Sequence, residues 1–312
     1  MSDKYANRSA RARSPSRDGG DESDLRSLLD SPREYERRDA ALALVDEAES
    51  DGLGAETASA LADRLAEDDS EDVRQFAVEA LGVAGGGGAE DVETAVRAAL
   101  DGDDDEWVRA EAVVALSRIA PDADAVADAL GDDSGWVRRN AVIALGKTGR
   151  ATPEDLIDRI KNDPHPAVRE YAALYLGERA DDTERAVRLL AAVLARDPEA
   201  FVRAKAAESL GEFATDRAEQ ALETHGITDR SDDVKRTAKR ALASARGVDP
   251  DQLDVEIDDG PPGGGPQSRA ETPNGPGPSA DGPGPAPEGR RPSGGKRGPK
   301  GDGPPAPGEP PN

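Results

Sequence analysis

The chain has 312 residues, 36% of them hydrophobic, and carries 65 acidic against 40 basic residues for a net charge of −25. It contains no cysteine, which excludes disulfides, thiolate catalysis and cysteine-ligated metal sites. There is no apolar run of about 18 residues and no signal-peptide core, so we expect a soluble, cytoplasmic protein with no membrane association.

The first 20 residues carry four arginines among Ser, Asp and Gly and show no apolar face. Such a segment cannot bury enough surface to offset the entropy of ordering it. We expect residues 1–20 to form a disordered basic N-terminal segment.

One pattern occurs six times from residue 68 onwards. It reads Asp, four residues, Val, Arg or Lys, two residues, Ala, three residues, Leu. The six copies begin at Asp68, Asp103, Asp132, Asp163, Asp197 and Asp229. Their valines are 35, 29, 31, 34 and 32 residues apart, intervals that are typical of stacked supersecondary units.

Each copy predicts a helical hairpin. Its Val, Ala and Leu are four residues apart and share one stripe of a helix, which we expect to be buried. A second apolar stretch precedes each Val-bearing helix, at 58–65, 92–100, 123–130, 156–160, 186–194 and 218–222. The repeated Asp then lies in the turn between the two helices, where its carboxylate can accept free N–H groups near the start of the second helix.

Four copies have a glycine directly after the repeated Leu. These glycines are Gly82, Gly146, Gly177 and Gly211. Glycine permits either a close approach of two backbones or a left-handed helix end, and the sequence leaves both alternatives open.

A seventh, degenerate unit precedes the six copies. Ser31 and Pro32 stand at its turn, and Glu36 occupies the valine position, which suits a terminal repeat that faces water. We therefore predict an all-α fold, a right-handed α-solenoid of about seven helical hairpins over residues 21–247.

Residues 248–312 hold 17 of the 24 prolines, beginning with an acidic patch and continuing as a Pro/Gly-rich tract. This composition predicts a disordered tail. Near its end lie five cations, Arg290, Arg291, Lys296, Arg297 and Lys300. They could contact nucleic acid or an acidic partner, but in so acidic a chain they are more typical of a solvated spacer.

The pattern of Asp, Val-Arg, Ala and Leu-Gly from Asp68 to Leu242 resembles the short HEAT repeats of phycobilin-lyase-like proteins. The resemblance covers about residues 22–246 and implies the α-solenoid fold rather than an activity. It also implies that each repeated Arg reaches the turn Asp of an adjacent repeat, since a partly buried charge needs a partner. The structural ladder implied in this way consists of Asp68, Arg74, Asp103, Arg109, Asp132, Arg138, Asp163, Arg169, Asp197 and Arg203.

A second stripe lies beside the buried one on each Val-bearing helix, and in HEAT-like stacks these helices line the concave side. The stripe is richest in the middle repeats, where both tryptophans of the chain occupy the same repeat position. These aromatic residues predict either interface anchors or packing between neighbouring repeats, and both interpretations stay open. The candidate partner-binding residues are Trp107, Val114, Trp136, Asn140, Ile143, Tyr171, Leu174, Phe201 and Lys205.

No pattern in the sequence indicates a catalytic residue, a cofactor or a metal site. His165 and His225 are the only histidines, and neither forms the His-Glu pair that HEAT-like iron-dependent hydroxylases use as ligands. We expect both to be surface residues. A P-loop pattern is also missing.

These features favour a non-enzymatic scaffold or adaptor that binds a protein partner on the concave face. A resemblance to HEAT-like proteins of halophilic archaea adds a signalling or taxis role as a narrower hypothesis. The alternative is a bilin-type tetrapyrrole lyase, or a subunit of a pigment- or cofactor-modifying enzyme, with a coloured ligand. The negative net charge argues against a nucleic-acid partner.

The composition also resembles that of proteins from extreme halophiles, with an acidic excess and only 3% aromatic residues. At molar salt the Debye length falls to about 3 Å, which screens the repulsion between carboxylates. We therefore expect the repeat domain to lose helicity as KCl is lowered from molar to millimolar concentration, measured by circular dichroism. Unchanged ellipticity over that range would contradict this expectation.

Overall fold

A computed structural model describes residues 21–86 and 91–253 of the chain. The predicted N-terminal segment, most of the predicted tail and its basic cluster lie outside the described residues. Within these residues the chain forms fourteen α-helices and no strand. The helices follow one another as seven hairpins, which we number repeats 1 to 7, and the predicted all-α solenoid is confirmed.

Each repeat has a first and a second helix. The first helices are α1 (Glu22–Leu28), α3 (Ala55–Glu67), α5 (Val92–Gly102), α7 (Asp124–Asp128), α9 (Pro153–Asn162), α11 (Thr183–Arg196) and α13 (Asp216–Ala221). The second helices are α2 (Glu34–Ser50), α4 (Glu71–Val83), α6 (Glu106–Ile119), α8 (Gly135–Thr148), α10 (Pro166–Arg179), α12 (Ala200–Phe213) and α14 (Asp232–Arg246). A 3-10 turn, Ala129–Gly131, continues α7, and a π-helical turn, Leu222–Gly226, continues α13.

The core lies between the two helices of each repeat and between successive repeats. The repeated Val, Ala and Leu are buried in every copy, and in repeat 3 Val108, Ala112 and Leu116 have no exposed surface. Leu61 and Leu190 of the first helices are buried in the same core. Burial of one such leucine contributes about 2 kcal/mol. The stripe that the repeat pattern defines is therefore the buried face of the second helices.

The repeated Asp organises the turn before each second helix. In all six copies its Oδ1 accepts the backbone N–H two residues further on, at 2.7–3.1 Å. That residue is the N-cap of the helix, so the Asp forms an Asx turn rather than capping the helix itself. In repeat 3 the cap is Asp105, which accepts the N–H groups of Trp107 and Val108.

The glycines after the repeated Leu allow successive second helices to approach closely. A Cβ atom at Gly82 would lie 2.7 Å from Ala115, and one at Gly211 would lie 2.8 Å from Ala241 in the next repeat. Consistent with this, the second helices pack more closely on one another than the first helices do. Of the two roles that the sequence left open, these glycines serve close packing, while a left-handed helix end occurs at Gly149.

Repeat 1 keeps the architecture in spite of its degenerate sequence. Ala40 and Leu44 are buried in the core, as in the other repeats. Glu36, at the valine position, accepts a hydrogen bond from the hydroxyl group of Ser31. Glu36 thus takes the place of the apolar valine in the first repeat that the structure describes.

The helical structure extends a few residues beyond the predicted limit at residue 247. A 3-10 turn, Pro250–Gln252, follows α14. Leu253 then packs against the hydrophobic core. The first residues of the predicted tail therefore belong to the repeat domain.

Bidentate Arg–Asp pairs join successive repeats, and we call this set the arginine ladder. In one of them Nε and Nη2 of Arg74 donate to the two carboxylate oxygens of Asp103, at 2.8 and 2.9 Å. The other pairs are Arg37–Asp68, Arg109–Asp132, Arg138–Asp163, Arg169–Asp197 and Arg203–Asp229. Nη1 of each arginine donates to a backbone carbonyl in the turn of its own repeat. Each guanidinium therefore links two consecutive turns.

The carboxylates of the ladder are buried charges that depend on their arginines. The side chain of Asp163 has no exposed surface. Burial alone would raise the pKa of Asp163, but hydrogen bonds from Arg138 and from the backbone N–H of His165 outweigh burial and lower this pKa. The buried ion pair has its hydrogen bonds satisfied, which is the condition under which such pairs persist.

Replacement of Arg138 by Ala should lower the free energy of unfolding by about 3 kcal/mol, because of its two arginine contacts the buried Asp163 then keeps only the longer one, to Arg159 at 3.5 Å. The control is Arg97→Ala, which removes a surface ion pair with Glu93 inside α5 and should cost about 0–1 kcal/mol. Urea unfolding at pH 7 and fixed KCl measures both costs, and equal costs would contradict a structural role of the ladder. In the wild type, the contribution of Asp163 should be present above its unfolded pKa of 3.8 and be lost as the pH falls through its lowered folded pKa.

Candidate functional site

Three aromatic side chains form a row at the start of the second helices of repeats 3 to 5. The rings of Trp107 and Trp136 are stacked, with centroids 5.3 Å apart and planes inclined at 28°. The ring of Trp136 meets that of His165 edge-on, at 4.8 Å and 66°. We call Trp107, Trp136 and His165 the aromatic row. Because each member comes from a different repeat, the row is a product of the stacking.

The turn before α8 holds the centre of the aromatic row in place. Ser134 accepts the N–H of Trp136 at 3.2 Å and donates its hydroxyl proton to Glu106 of the preceding repeat at 2.6 Å. A Cβ atom at the next residue, Gly135, would collide with the imidazole of His165. Glycine at this position therefore makes room for the third ring of the row.

The two indoles pack the repeats and also present aromatic surface. Trp107 and Trp136 are both half-buried. Their contact shows the packing between repeats that the sequence left open, and an aromatic pair of this kind contributes about 0.5–1.5 kcal/mol beyond its buried area. Since part of each indole stays exposed, packing does not remove the row from the surface.

His165 differs from the sequence prediction, which placed it at the surface. Its Nδ1 is buried and has no hydrogen-bond partner among the described residues. Burial lowers the pKa of the imidazole, with a smaller opposite effect of Asp163. His165 is therefore a neutral ring at pH 7 that belongs to the row. His225 lies in the π-helical turn and is exposed.

An apolar strip accompanies the aromatic row. It consists of Val114, Ile143 and Leu174, which occupy the same position in repeats 3, 4 and 5 and are half-buried. Val114 follows Trp107 by seven residues, two turns along the same face of α6. The strip therefore continues the surface of the row along the second helices. We call the face that carries the row and the strip the second-helix face.

Arg139 and Tyr171 form a cation–π pair on the second-helix face. The guanidinium carbon of Arg139 lies 4.9 Å from the centroid of the Tyr171 ring, and Nη2 donates to the Tyr171 hydroxyl at 3.2 Å. The repeat pattern does not point to Arg139, because it assigns no role to the residue after the ladder arginine. The available signal is the dipeptide of Arg138 and Arg139 in a repeat whose candidate residues are mostly apolar.

Asn140, a predicted partner-binding residue, lies inside the stack instead. It is 2% exposed, and its Nδ2 donates to the backbone carbonyl of Ala110 at 2.7 Å. The amide thereby connects repeat 4 to repeat 3. The prediction for Asn140 was wrong because the neighbouring helix covers this position.

Phe201 and Lys205 lie apart from the aromatic row. Phe201 occupies the tryptophan position of repeat 6 and is 37% exposed. In repeat 5 the same position is Ala167, so the tryptophan position carries no aromatic residue between Trp136 and Phe201. Lys205 forms an ion pair with Glu208 of its own helix at 2.6 Å. Among the candidate partner-binding residues, the aromatic and apolar ones of repeats 3 to 5 therefore lie together, and those of repeat 6 lie apart from them.

Glu111 is a buried carboxyl on the second-helix face, one turn after Trp107. It is 8% exposed. Burial and, to a lesser extent, the charge of Glu79 raise the pKa of Glu111 to about 8, against a smaller opposite effect of Arg118. Glu111 is therefore mostly protonated at neutral pH. Residue type alone does not distinguish it from the many other acidic residues of the chain.

The second-helix face combines aromatic and apolar surface. Across residues 21–86 and 91–253, no group of three or more His, Asp or Glu side chains could hold a metal ion. Nor is any helix in those ranges long and apolar enough to cross a membrane. Exposed parts of the indole rings and an apolar strip offer packing contacts to a bound molecule, whereas Arg139 is only 8% exposed and its guanidinium is held by Tyr171.

The seven stacked hairpins define an α-solenoid protein. The family profile of HEAT repeats matches residues 58–146, 95–160 and 153–243, which together span more than half of the chain. The chain therefore belongs to the HEAT-repeat family, as the pattern of Asp, Val-Arg, Ala and Leu-Gly predicted. A search of curated proteins gives no match.

Solved structures with the same fold include proteins of different kinds. YibA of E. coli is 21% identical with a TM-score of 0.53, and the match covers 78% of this chain and 87% of YibA. Kap95p, in a complex with RanGDP, is 17% identical with a TM-score of 0.50, over 79% of this chain and 37% of Kap95p. In the CpcE–CpcF complex of phycocyanin lyase from a Nostoc species, the matched chain is 20% identical with a TM-score of 0.44, and 78% of this chain and 93% of that one are covered. At such identities the likeness concerns the fold alone.

Replacement of Glu111 by Gln should flatten the dependence of stability on pH. With its pKa near 8 in the folded protein and near 4.5 when unfolded, Glu111 makes the wild type lose stability, on the order of a few kcal/mol, as the pH rises from about 5 to 8. Glutamine stays neutral over this range, so the variant should lose less. Glu212→Gln, which changes an exposed carboxylate of α12, is the control. Urea unfolding at several pH values measures the effect, and parallel pH curves for E111Q and wild type would contradict it.

Proposed function

We propose that this HEAT-repeat protein is a non-enzymatic scaffold or adaptor that binds a protein partner on its second-helix face, centred on the aromatic row. The observation that carries the proposal is the continuity of the row, with two indoles and an imidazole in contact across three repeats. Tryptophan, tyrosine and arginine are enriched among the residues that dominate the energy of protein interfaces. All three residue types occur on this face.

The rigidity of the stack supports the same proposal. The arginine ladder fixes the spacing of successive turns, and the row begins directly after these turns. Side chains that are already held in place lose little conformational freedom on binding, which favours affinity. HEAT repeats in general build extended surfaces of this kind.

A signalling adaptor, with a role in taxis, is the narrower form of the proposal. Its support is the resemblance in repeat type and in acidic composition. A general adaptor, which is the broad form of the proposal, and a signalling adaptor would use the same surface. The experiments on the surface therefore test the broad form first.

Both tryptophans of the chain lie in the aromatic row, so intrinsic fluorescence reports on the proposed surface directly. We expect the full chain to capture a stoichiometric protein partner from native lysate at molar KCl. The purified partner should then shift the tryptophan emission in a saturable titration. A partner that binds without any change in emission would place the interface elsewhere.

The variant Trp107→Ala/Trp136→Ala should weaken partner binding by about 30-fold or more, because it removes the anchors of the interface. Since the indoles also pack the repeats, circular dichroism must show that the variant is folded. Tyr35→Ala is the matched control, because Tyr35 is 53% exposed and occupies the tryptophan position of repeat 1, away from the row. Binding by a folded double variant that equals the wild type would overturn the proposed location.

The second variant, Trp107→Phe/Trp136→Phe, keeps aromatic rings at both positions and separates packing from binding. It should restore the stability lost in the alanine variant and recover part of the affinity. A coloured ligand that copurifies with the native protein, in place of a protein partner, would overturn the adaptor and favour the alternative function, a tetrapyrrole lyase or a subunit of a pigment- or cofactor-modifying enzyme.

A further inference from the structure

A pocket opens between repeats 6 and 7, on the side of the turns rather than on the second-helix face. Its volume is about 340 Å³. It lies where the end of α11 and the turn before α12 meet the π-helical turn after α13 and the turn before α14. Its polar and charged lining residues include Arg196, Arg203, His225, Thr228, Asp229 and Arg230.

The carboxylates of the pocket are already neutralised by the ladder. Asp229 accepts both Nε and Nη2 of Arg203, at 2.8 and 2.9 Å. Asp197, which also lines the pocket, is held in the same way by Arg169. Both carboxylates therefore have a bidentate arginine partner in the ladder, and Arg230 adds only a weaker electrostatic attraction to Asp229.

Two of these arginines have no carboxylate partner. In the part of the chain that the structure describes, neither Arg196 nor Arg230 forms an ion pair, and Arg230 donates from Nη2 to the backbone carbonyl of Pro198 at 3.0 Å. Unpaired guanidinium groups that line one pocket repel each other unless an anion is bound between them. In a chain with a net charge of −25, such a local excess of positive charge stands out.

The repeat architecture does not require either arginine. The residue after the turn Asp is Asp69, Asp104 and Asp133 in repeats 2 to 4 and a proline in repeats 5 and 6, whereas repeat 7 has Arg230. The residue before the turn Asp is Glu67 in repeat 2, whereas repeat 6 has Arg196. The charged residues next to the turn Asp are therefore acidic in the early repeats, whereas those that line this pocket are basic.

The helix that borders the pocket is also irregular. The first helix of repeat 7 ends in the π-helical turn Leu222–Gly226, which includes the exposed His225. π-helical turns are rare and occur frequently at functional sites. The hydroxyl group of Thr228, two residues after this turn, donates to the carbonyl of Thr224 at 2.7 Å and thus presents its oxygen at a fixed place in the pocket wall.

We propose that this pocket binds a phosphate group, held by the guanidinium groups of Arg196 and Arg230 with His225 at its edge. A guanidinium presents a planar fork of N–H donors that matches two oxygens of a phosphate. A phosphate has enough oxygens and charge to engage both arginines, whereas one carboxylate satisfies a single fork. The phosphate comes either from a free phosphate ion or from a phosphorylated side chain of a partner, and this site is independent of the second-helix face.

The test is a titration of the full chain with inorganic phosphate at pH 7 and one fixed KCl concentration, followed by proton NMR of the two histidines. The ring signals of His225 should shift in a saturable manner, whereas those of His165, which does not line the pocket and packs against Trp136, should shift less. The same titration with acetate tests the class of anion. No saturable shift of His225, or equal affinity for acetate, would overturn the proposal.

The variant Arg196→Gln/Arg230→Gln should weaken phosphate binding by about tenfold or more, because both charge-assisted contacts are lost. Folding should be preserved, since neither side chain belongs to the core. Arg217→Gln is the matched control: it removes an exposed arginine of α13 that does not line the pocket and should bind as the wild type does. An equal loss in this control would show a general effect of net charge and would overturn the site.

A phosphoserine peptide distinguishes the two sources of the phosphate. If the peptide binds more tightly than inorganic phosphate, and Arg196→Gln/Arg230→Gln weakens both, the site serves a phosphorylated partner. If both bind equally, it serves free phosphate. Peptide binding that the double variant leaves unchanged would overturn the pocket as the site of recognition.

Discussion

The bidentate bond between a second-helix arginine and the turn aspartate of the next repeat is the interaction on which this stack depends. The core between the helices is built largely from alanine, valine and leucine, and glycines let the second helices approach closely. Small side chains pack well but do not by themselves fix the distance between turns. The ladder does so, because each guanidinium binds the carboxylate of one turn and the carbonyl of another.

The ladder and the aromatic row share the same turns. Asp163 receives the guanidinium of Arg138 and also the backbone N–H of His165, whose imidazole lies against Trp136. One buried carboxylate thus determines both the spacing of two repeats and the position of a ring on the candidate surface. Folding of this turn therefore also sets the position of the candidate surface.

Periodicity in the sequence predicted the hairpins, the buried stripe and the helix face of the candidate residues, because all three follow from spacing along one helix. It could not predict what a neighbouring repeat does to a residue. Asn140 is covered by the preceding helix, and His165 occupies space that Gly135 leaves open. The same holds for Arg139, which binds Tyr171 of the next repeat, and for Glu111, whose pKa is raised by burial and by the charge of Glu79 in the preceding repeat. Contacts across the stack depend on the exact offset of two helices, which the pattern within one repeat does not contain.

All bonds of the arginine ladder run the same way, from an arginine of one repeat to the aspartate of the next. The first and last repeats therefore each lack one of the two partners. Every ladder arginine reaches forward to the aspartate of the following turn, but in repeat 1 Ser31 stands at the aspartate position. In repeat 7 the arginine is replaced by Lys235, which pairs with Asp232 of its own helix. Head-to-tail contacts that repeat without closure produce filaments. Because repeat 1 lacks the aspartate acceptor and repeat 7 lacks the arginine donor, the bond that joins the repeats within one copy cannot join these two repeats of two copies end to end.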